Sequence, residues 1–142
     1  MNELAHERIA VVRVHMASEI THDFDTTLST FKHPRYELYG GGQVFDGPDA
    51  VLAYFKASRT TFPDQANEPI QLRAMEDAVL AEFWLTGTHK GSLPTPQGEL
   101  APTGKSIRVR MAAVFEFEPG TARIVSERVY FDRAEILRQL TS

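Results

Sequence analysis

The strongest constraint on the fold is a long alternation of apolar and polar residues in the second half of the chain. Within residues 107–117, every odd position is apolar: Ile107, Val109, Met111, Ala113, Phe115 and Phe117. Strict alternation over this length is typical of a β-strand with one buried face. Arg108, Arg110 and Glu116 share the other face, where cross-strand charge pairing is the expected role.

Three further segments read as strands next to this one along the chain. They cover residues 70–74, 79–89 and 123–131, with turn residues at Glu76-Asp77 and Pro119-Gly120. Phe83, Leu85 and His89 lie on the apolar face of the strand 79–89. Consecutive strands joined by short turns form antiparallel sheets. Residues 91–104 are rich in proline and glycine and predict a loop.

The first half of the chain is mainly helical. A stripe of apolar residues at spacings of three and four predicts a helix over residues 3 to about 20: Ala5, Ile9, Val12, Met16 and Ile20. Asp23 caps a short second helix, and Pro48 begins a third in which Phe55 faces inward. Between them, residues 36–45 predict a strand that three glycines bend, bulge or turn into a hairpin. The class is α+β: a curved antiparallel sheet wrapped around N-terminal helices, with a pocket between them.

Composition narrows the possible functions. With 142 residues we expect one domain, 1–142. The net charge of −4 and the lack of a Lys/Arg run argue against nucleic-acid binding. There is no cysteine, hence no disulfide or thiolate site. No apolar run approaches a membrane span and the N-terminal residues do not resemble a signal peptide, so we expect a cytoplasmic protein without a membrane partner.

Several short motifs occur in order along nearly the whole chain. They are Glu19-Ile-Thr-His-Asp23, Phe62-Pro-Asp64, Leu85-Thr-Gly-Thr-His-Lys-Gly91, Pro102-Thr-Gly-Lys105, and Glu127-Arg-Val-Tyr-Phe-Asp132 with Leu137-Arg-Gln-Leu140. Together they resemble the SnoaL-like polyketide cyclase family, within the nuclear transport factor 2-like superfamily. The resemblance implies a cystatin-like α+β cone that is often dimeric through its open sheet face. It also implies intramolecular aldol ring closure of a polyketide ester without cofactor or metal, with Asp132 in the position of the acid/base aspartate.

Asp132 has two possible roles, because it lies where strand alternation gives way to helical spacing. In an apolar pocket its carboxylate would have a raised pKa and could take a proton from a carbon next to a carbonyl. Asp132 and Glu135 also have the spacing of a capping box, in which the aspartate accepts backbone N–H groups. Capping would lower the pKa and make Asp132 a poorer base.

The phase of the last strand is also open. Tyr130 and Arg128 alternate in phase with Asp132, so all three would face the pocket together, and Tyr130 could stabilise an enolate oxygen. In the opposite phase, Glu127, Val129 and Phe131 would face inward. His89 is either a hydrogen-bonded core or rim histidine or a pocket donor active near neutral pH.

The remaining pocket candidates come from the helices and the central strands. His15, Glu19 and His22 have a spacing that allows them to share a helix face, either as a polar pocket lining, as a solvated stripe or as metal ligands. We expect no metal. The predicted substrate pocket comprises His15, Glu19, His22, Phe55, Phe83, Leu85, Met111, Phe115 and Arg128.

The functional hypothesis is a small hydrophobic carbonyl compound bound in the cone. The reaction would be a cofactor-free cyclisation or isomerisation with Asp132 as acid/base, assisted by Tyr130 and His89. The alternatives are a non-catalytic ligand-binding or dimerisation module, and an epoxide-opening hydrolase or dehydratase. Trp84 lies on the opposite face of its strand from His89, which suggests a homodimer through the outer sheet face.

Overall fold

The computed structural model describes residues 2–142 as four helices and eight strands. The helices are α1 (Glu3–Ile20), α2 (Phe24–Ser29), α3 (Pro48–Thr61) and α4 (Arg133–Thr141). The strands are β1 (Arg35–Tyr39), β2 (Gln43–Asp46), β3 (Ala66–Met75), β4 (Ala78–Thr88), β5 (Leu93–Thr95), β6 (Gly98–Leu100), β7 (Ser106–Phe117) and β8 (Ile124–Tyr130).

Six strands form one curved sheet in the order β2-β1-β8-β7-β4-β3. The four C-terminal strands of this sheet pair antiparallel, as the alternation and short turns predict. The first strand joins differently: β1 runs parallel to β8, with Tyr36 opposite Glu127. Pairing the first strand with the last brings residues far apart in sequence to one place. The predicted α+β class with a sheet around N-terminal helices is confirmed.

Two glycine-containing segments form hairpins. The glycines at positions 40–42 connect β1 to β2 as an antiparallel hairpin, one of the alternatives open from sequence. The prediction that residues 91–104 form only a loop is wrong, since β5 and β6 pair there as a separate two-stranded sheet. Its base is tied to α3, because the N–H groups of Lys90 and Gly91 both donate to the carbonyl of Thr61.

The core lies between the helices and one face of the sheet. Val12 and Met16 of α1 and Phe55 of α3 pack with the apolar face of β7, including Ala113 and Phe115. The side chain of Asn2 begins α1 by accepting the Ala5 N–H at 2.8 Å. Helix packing follows the predicted stripe at Val12 and Met16, whereas Ile20, also predicted to be on the stripe, is 41% exposed. Val12 and Met16 place this part of α1 over the interior of the sheet.

We expect Val12→Ala and Val14→Ala to affect stability differently, although both lie in α1. Val12 is 0% exposed in the core and Val14 is 51% exposed. Removing the buried methyl groups should lower the free energy of unfolding by about 2 kcal/mol. At Val14 the change should stay within about 0.5 kcal/mol. Urea denaturation monitored by circular dichroism measures both; equal losses would contradict this placement of α1.

Candidate functional site

A cavity of about 560 Å³ opens between the helices and the inner face of the sheet. Its walls are largely apolar, and seven aromatic side chains line it: Tyr36, Phe45, Tyr54, Phe62, Phe83, Phe115 and Phe131. A cavity of this size, with apolar walls and a few polar groups, is typical of small-molecule sites. The polar groups therefore decide which chemistry the cavity can support.

Two carboxyl groups reach the cavity from opposite sides. Glu19 extends from the last turn of α1, and Glu127 extends from β8. Tyr36 of β1 lies beside Glu127 because the two residues are partners in the parallel β1–β8 ladder. Arg59, from the last turns of α3, lies 3.5 Å from the carboxylate of Glu19. These four side chains form a polar cluster within otherwise apolar walls.

His15 joins the two carboxyl groups from behind the cavity wall. Its Nε2 is 2.9 Å from Oε1 of Glu127 and 3.2 Å from Oε2 of Glu19. The same nitrogen is 2.8 Å from the hydroxyl of Tyr36. The Glu127 oxygen lies within ion-pair distance of Nε2 but off the line of a hydrogen bond. Nε2 of His15 therefore faces three oxygen atoms, one each from Glu127, Glu19 and Tyr36.

The other imidazole nitrogen is fixed by threonine. Nδ1 of His15 lies 2.9 Å from the Thr30 hydroxyl, and that hydroxyl donates its own proton to the Thr27 carbonyl at 2.6 Å. With its proton committed, the Thr30 oxygen accepts, so Nδ1 of His15 must carry a proton. Any further proton on the ring resides on Nε2, facing the carboxyl groups.

The surroundings favour the charged imidazole. Burial alone would lower the pKa of His15, but the close approach of the Glu127 and Glu19 carboxyl groups outweighs it and raises the pKa to about 9. The two carboxyl groups respond differently. Burial raises the pKa of Glu127 despite His15, whereas for Glu19 the cations His15 and Arg59 outweigh burial and lower the pKa. The surroundings therefore shift the pKa values of these two glutamate side chains in opposite directions.

The cluster also has the composition of a metal site. Ligand atoms of His15, Glu19 and Glu127 all lie within 4.8 Å of one another, a spacing that a divalent cation accepts. A metal at this position would have to displace the proton that the two carboxylates hold on Nε2 of His15. Without a bound metal, the three side chains form an ion-paired proton site.

About half of the predicted pocket residues line the cavity. Those that do are Glu19, Phe83, Leu85, Met111 and Phe115. Phe55 and His15 are wholly buried behind its wall. The pocket predictions for His22 and Arg128 are wrong. His22 is exposed and stacks on Phe24, so it cannot join His15 and Glu19, and Arg128 pairs with Glu116 at 3.0 Å.

Asp132 and Tyr130 do not face the cavity, so the prediction that places them there is wrong. Asp132 is exposed and caps α4, with its Oδ1 accepting the Glu135 N–H at 3.1 Å. Tyr130 is 44% exposed and stacks on Tyr39, with ring centroids 5.0 Å apart. The last strand has the opposite phase, so Glu127, Val129 and Phe131 line the cavity.

His89 is a core histidine at the base of the β5–β6 hairpin. It is 0% exposed, and its Nδ1 accepts the Thr103 N–H at 3.1 Å. Backbone bonds join it to Lys105 and Gly104, and its ring lies 5.7 Å from that of Phe62. The expectation that His89 is a cavity donor is therefore wrong; it holds the two ends of the hairpin segment together.

Sequence reasoning gave no role to Tyr36 or Arg59 and left Glu127 as one of two phases. The alternating apolar positions 125, 129 and 131, with Glu127 in the same phase, were the available signal for Glu127. Tyr36 and Arg59 carry no local signal, because their partners are Glu127 and Glu19, far away in sequence.

Comparisons with known proteins place this geometry in a family. The family model described as SnoaL-like polyketide cyclase matches residues 10–140. A comparison with curated proteins found no match. Among solved structures, a Jannaschia sp. CCS1 protein named for the SnoaL-like polyketide cyclases is 16% identical, with a TM-score of 0.85 over 100% of this chain and 96% of that chain.

Two further structures show the same fold. A Xanthomonas campestris pv. campestris protein named for the polyketide cyclases is 17% identical, with a TM-score of 0.84 over 98% of this chain and 100% of its own. AclR from Streptomyces galilaeus, named for a hydroxylase, is 18% identical, with a TM-score of 0.77 over 96% and 85%. At these identities the likeness concerns the fold.

Across residues 2–142, no helix combines the length and apolar character needed to cross a bilayer.

We expect the charged state of His15 to make stability depend on pH in the alkaline range. The folded pKa of about 9 lies above the ordinary 6.5. The stabilisation from His15 is therefore fully present below pH 6.5 and is lost as the pH rises through 9. Urea denaturation between these values should show a decline in the free energy of unfolding that His15→Gln reduces. His6→Gln, an exposed control in the same helix, should keep the decline; an unchanged decline in His15→Gln would contradict the assignment.

Proposed function

We propose that this chain, which belongs to the SnoaL-like polyketide cyclase family, binds a small hydrophobic carbonyl compound in its cavity and catalyses proton transfer on it. The reaction class is aldol cyclisation or a related isomerisation, carried out by side chains of the chain itself. The observation that carries the proposal is the pair of carboxyl groups, Glu19 and Glu127, which share His15 in an otherwise apolar cavity. Apolar walls favour a hydrophobic compound, and the carboxyl pair supplies an acid/base group.

Glu127 is the proposed acid/base group in place of Asp132. It lines the cavity and is 4% exposed, and burial raises its pKa. A carboxyl group with a raised pKa gains basicity, so it accepts a proton from a carbon next to a carbonyl more readily than an exposed carboxylate. Glu19, with its lowered pKa, remains the ionised partner. Surroundings that shift the pKa values of two carboxyl groups in opposite directions distinguish the group that exchanges a proton from the group that stays ionised.

Tyr36 is the proposed hydrogen-bond donor to the carbonyl oxygen. Burial and the nearby carboxyl groups raise its pKa well above the ordinary value, so the hydroxyl keeps its proton. When His15 is protonated on Nε2, the Tyr36 oxygen accepts from it at 2.8 Å. The phenolic proton then has the Glu127 carboxyl as its neighbour. In a ligand complex it would turn to the carbonyl oxygen and stabilise an enolate as charge develops.

An epoxide-opening hydrolase is the second candidate. The observation in its favour is that the guanidinium of Arg59 pairs with the carboxylate of Glu19 in the cavity. A second carboxyl group, that of Glu127, lines the same cavity. One carboxyl could activate water while the other protonates the epoxide oxygen. Under this reading, both Glu19→Gln and Glu127→Gln should abolish hydrolysis of a neutral aromatic epoxide.

We expect Glu127→Gln to slow proton abstraction from a bound ketone. The probe is an indanone or tetralone in deuterated buffer, with exchange at the carbon next to the carbonyl followed by proton NMR. The wild-type chain should accelerate exchange, and Glu127→Gln should reduce that rate by about 100-fold or more because the base is gone.

Asp132→Asn is the matched control, since it makes the same acid-to-amide change at an exposed helix cap. It should keep the wild-type rate. Loss of exchange in Asp132→Asn, or its persistence in Glu127→Gln, would contradict the assignment of Glu127. Tight binding of the ketone without any accelerated exchange would favour a binding module.

The proposed assembly is a homodimer through the outer face of the sheet. Trp84 lies on that face, with the guanidinium groups of Arg108 and Arg110 at 4.2 and 5.7 Å from its ring. Arg108 and Arg110 also pair with Glu68 and Glu82. This combination of an aromatic ring with charges of both signs suits a second copy of the same face.

We expect light scattering at micromolar concentration to give twice the chain mass. Trp84→Asp should shift the mass to that of the monomer, because it places a carboxylate at the centre of the proposed interface. Val14→Asp, which alters an exposed position on α1, should leave the mass unchanged. A monomeric wild-type chain would overturn the dimer.

A further inference from the structure

Arg59 distinguishes the two cavity carboxyl groups. We propose that Arg59 is a positioning residue that fixes Glu19 as the permanent anion and so leaves Glu127 as the carboxyl that exchanges a proton with the ligand. This inference rests on the proposed function and concerns the division of labour within the same site.

The guanidinium of Arg59 is held on several sides. It is 8% exposed in the wall of the cavity. One terminal nitrogen donates to the backbone carbonyl of Glu19 at 3.1 Å and lies 3.5 Å from its carboxylate. The other donates to the Ser58 hydroxyl at 2.8 Å. Its central carbon also sits over the rings of Phe24 and Phe55, at 5.3 and 5.9 Å. A planar, always charged group held this way keeps a fixed orientation.

Only one of the carboxyl groups receives this cation. Within residues 2–142, the ion pairs of Glu19 are to His15 and Arg59, whereas that of Glu127 is to His15 alone. His15 contacts both at similar distances, 3.2 and 2.9 Å, so it cannot by itself make them differ. The guanidinium therefore adds to a difference in exposure, 15% for the Glu19 side chain and 6% for that of Glu127, and it is the charge that only Glu19 receives.

The pKa directions agree with this geometry. Burial would raise the pKa of both carboxyl groups; His15 and Arg59 together reverse this for Glu19, while burial prevails for Glu127. The other titratable groups that face the pair are Tyr36 of β1 and Tyr54 of α3, whose raised pKa values keep both phenols neutral. Arg59 is thus the cation that separates the two carboxyl groups in the described chain.

The test is a carboxyl titration by ¹³C NMR of glutamate-labelled protein without ligand. Glu19→Gln and Glu127→Gln assign the two buried signals. In the wild-type chain Glu19 should titrate at lower pH than Glu127. Arg59→Gln, which keeps a donor but loses the charge, should raise the pKa of Glu19 by about one pH unit or more. Arg59→Lys should restore most of the wild-type value.

Arg8→Gln is the matched control, because Arg8 is a second buried arginine with the same kinds of contact. It pairs with Asp77, donates to the Thr121 and Glu118 carbonyls and lies over Phe117. It lies outside the cavity lining, so its loss should reduce stability while the Glu19 titration stays unchanged.

An unchanged Glu19 pKa in Arg59→Gln would overturn the proposal. If Arg59→Gln fails to fold, the order in which the two carboxyl groups titrate in the wild-type chain still tests the proposal. A Glu127 pKa at or below that of Glu19 would overturn it. The ketone-exchange rate plays no part in this titration. A failure of the proposed function and a failure of the Arg59 assignment are therefore separate results.

Discussion

The site depends on one shared contact, the imidazole of His15 between two buried carboxyl groups. Charges removed from water lose their hydration, so each must find a partner within the protein. His15 provides that partner to both carboxyl groups, and Thr30 fixes the ring by accepting from Nδ1. Without the imidazole, two like charges would face each other within a largely apolar cavity.

The fold brings this cluster together from distant parts of the chain. His15 and Glu19 lie one turn apart on α1, and Arg59 lies on α3. Tyr36 of β1 and Glu127 of β8 are partners in the parallel ladder. Buried ion pairs are often no more stable than well-packed apolar residues in the same space. A contribution to stability therefore does not by itself account for such a cluster at the edge of a cavity, which is why we propose proton transfer for it.

Much of the fold could be predicted from the sequence because its signals are local. The stripe on α1 and the alternation of β4 and β7 directly determine which side chains are buried, and Phe83, Met111 and Phe115 reached the cavity as expected. The β5–β6 hairpin escaped prediction because its strands have three residues each, too few for periodicity to appear.

The site was harder to predict because its contacts are long-range. Both phases of β8 carry apolar residues, so alternation alone could not choose between Asp132 and Glu127 as the inward carboxyl. The choice is made by the pairing of β8 with β1 and β7, which aligns Glu127 with Tyr36 and Phe115. Asp132 instead follows its local signal, the helix start, and becomes a cap.

The central claim is that His15 is an imidazolium shared by Glu19 and Glu127. A neutron crystal structure at neutral pH tests it most directly, because deuterium atoms on nitrogen and oxygen are visible. The account predicts deuterium on both Nδ1 and Nε2 of His15, with Nδ1 directed at Thr30. A ring without deuterium on Nε2, or a metal ion bound among the three side chains, would contradict it.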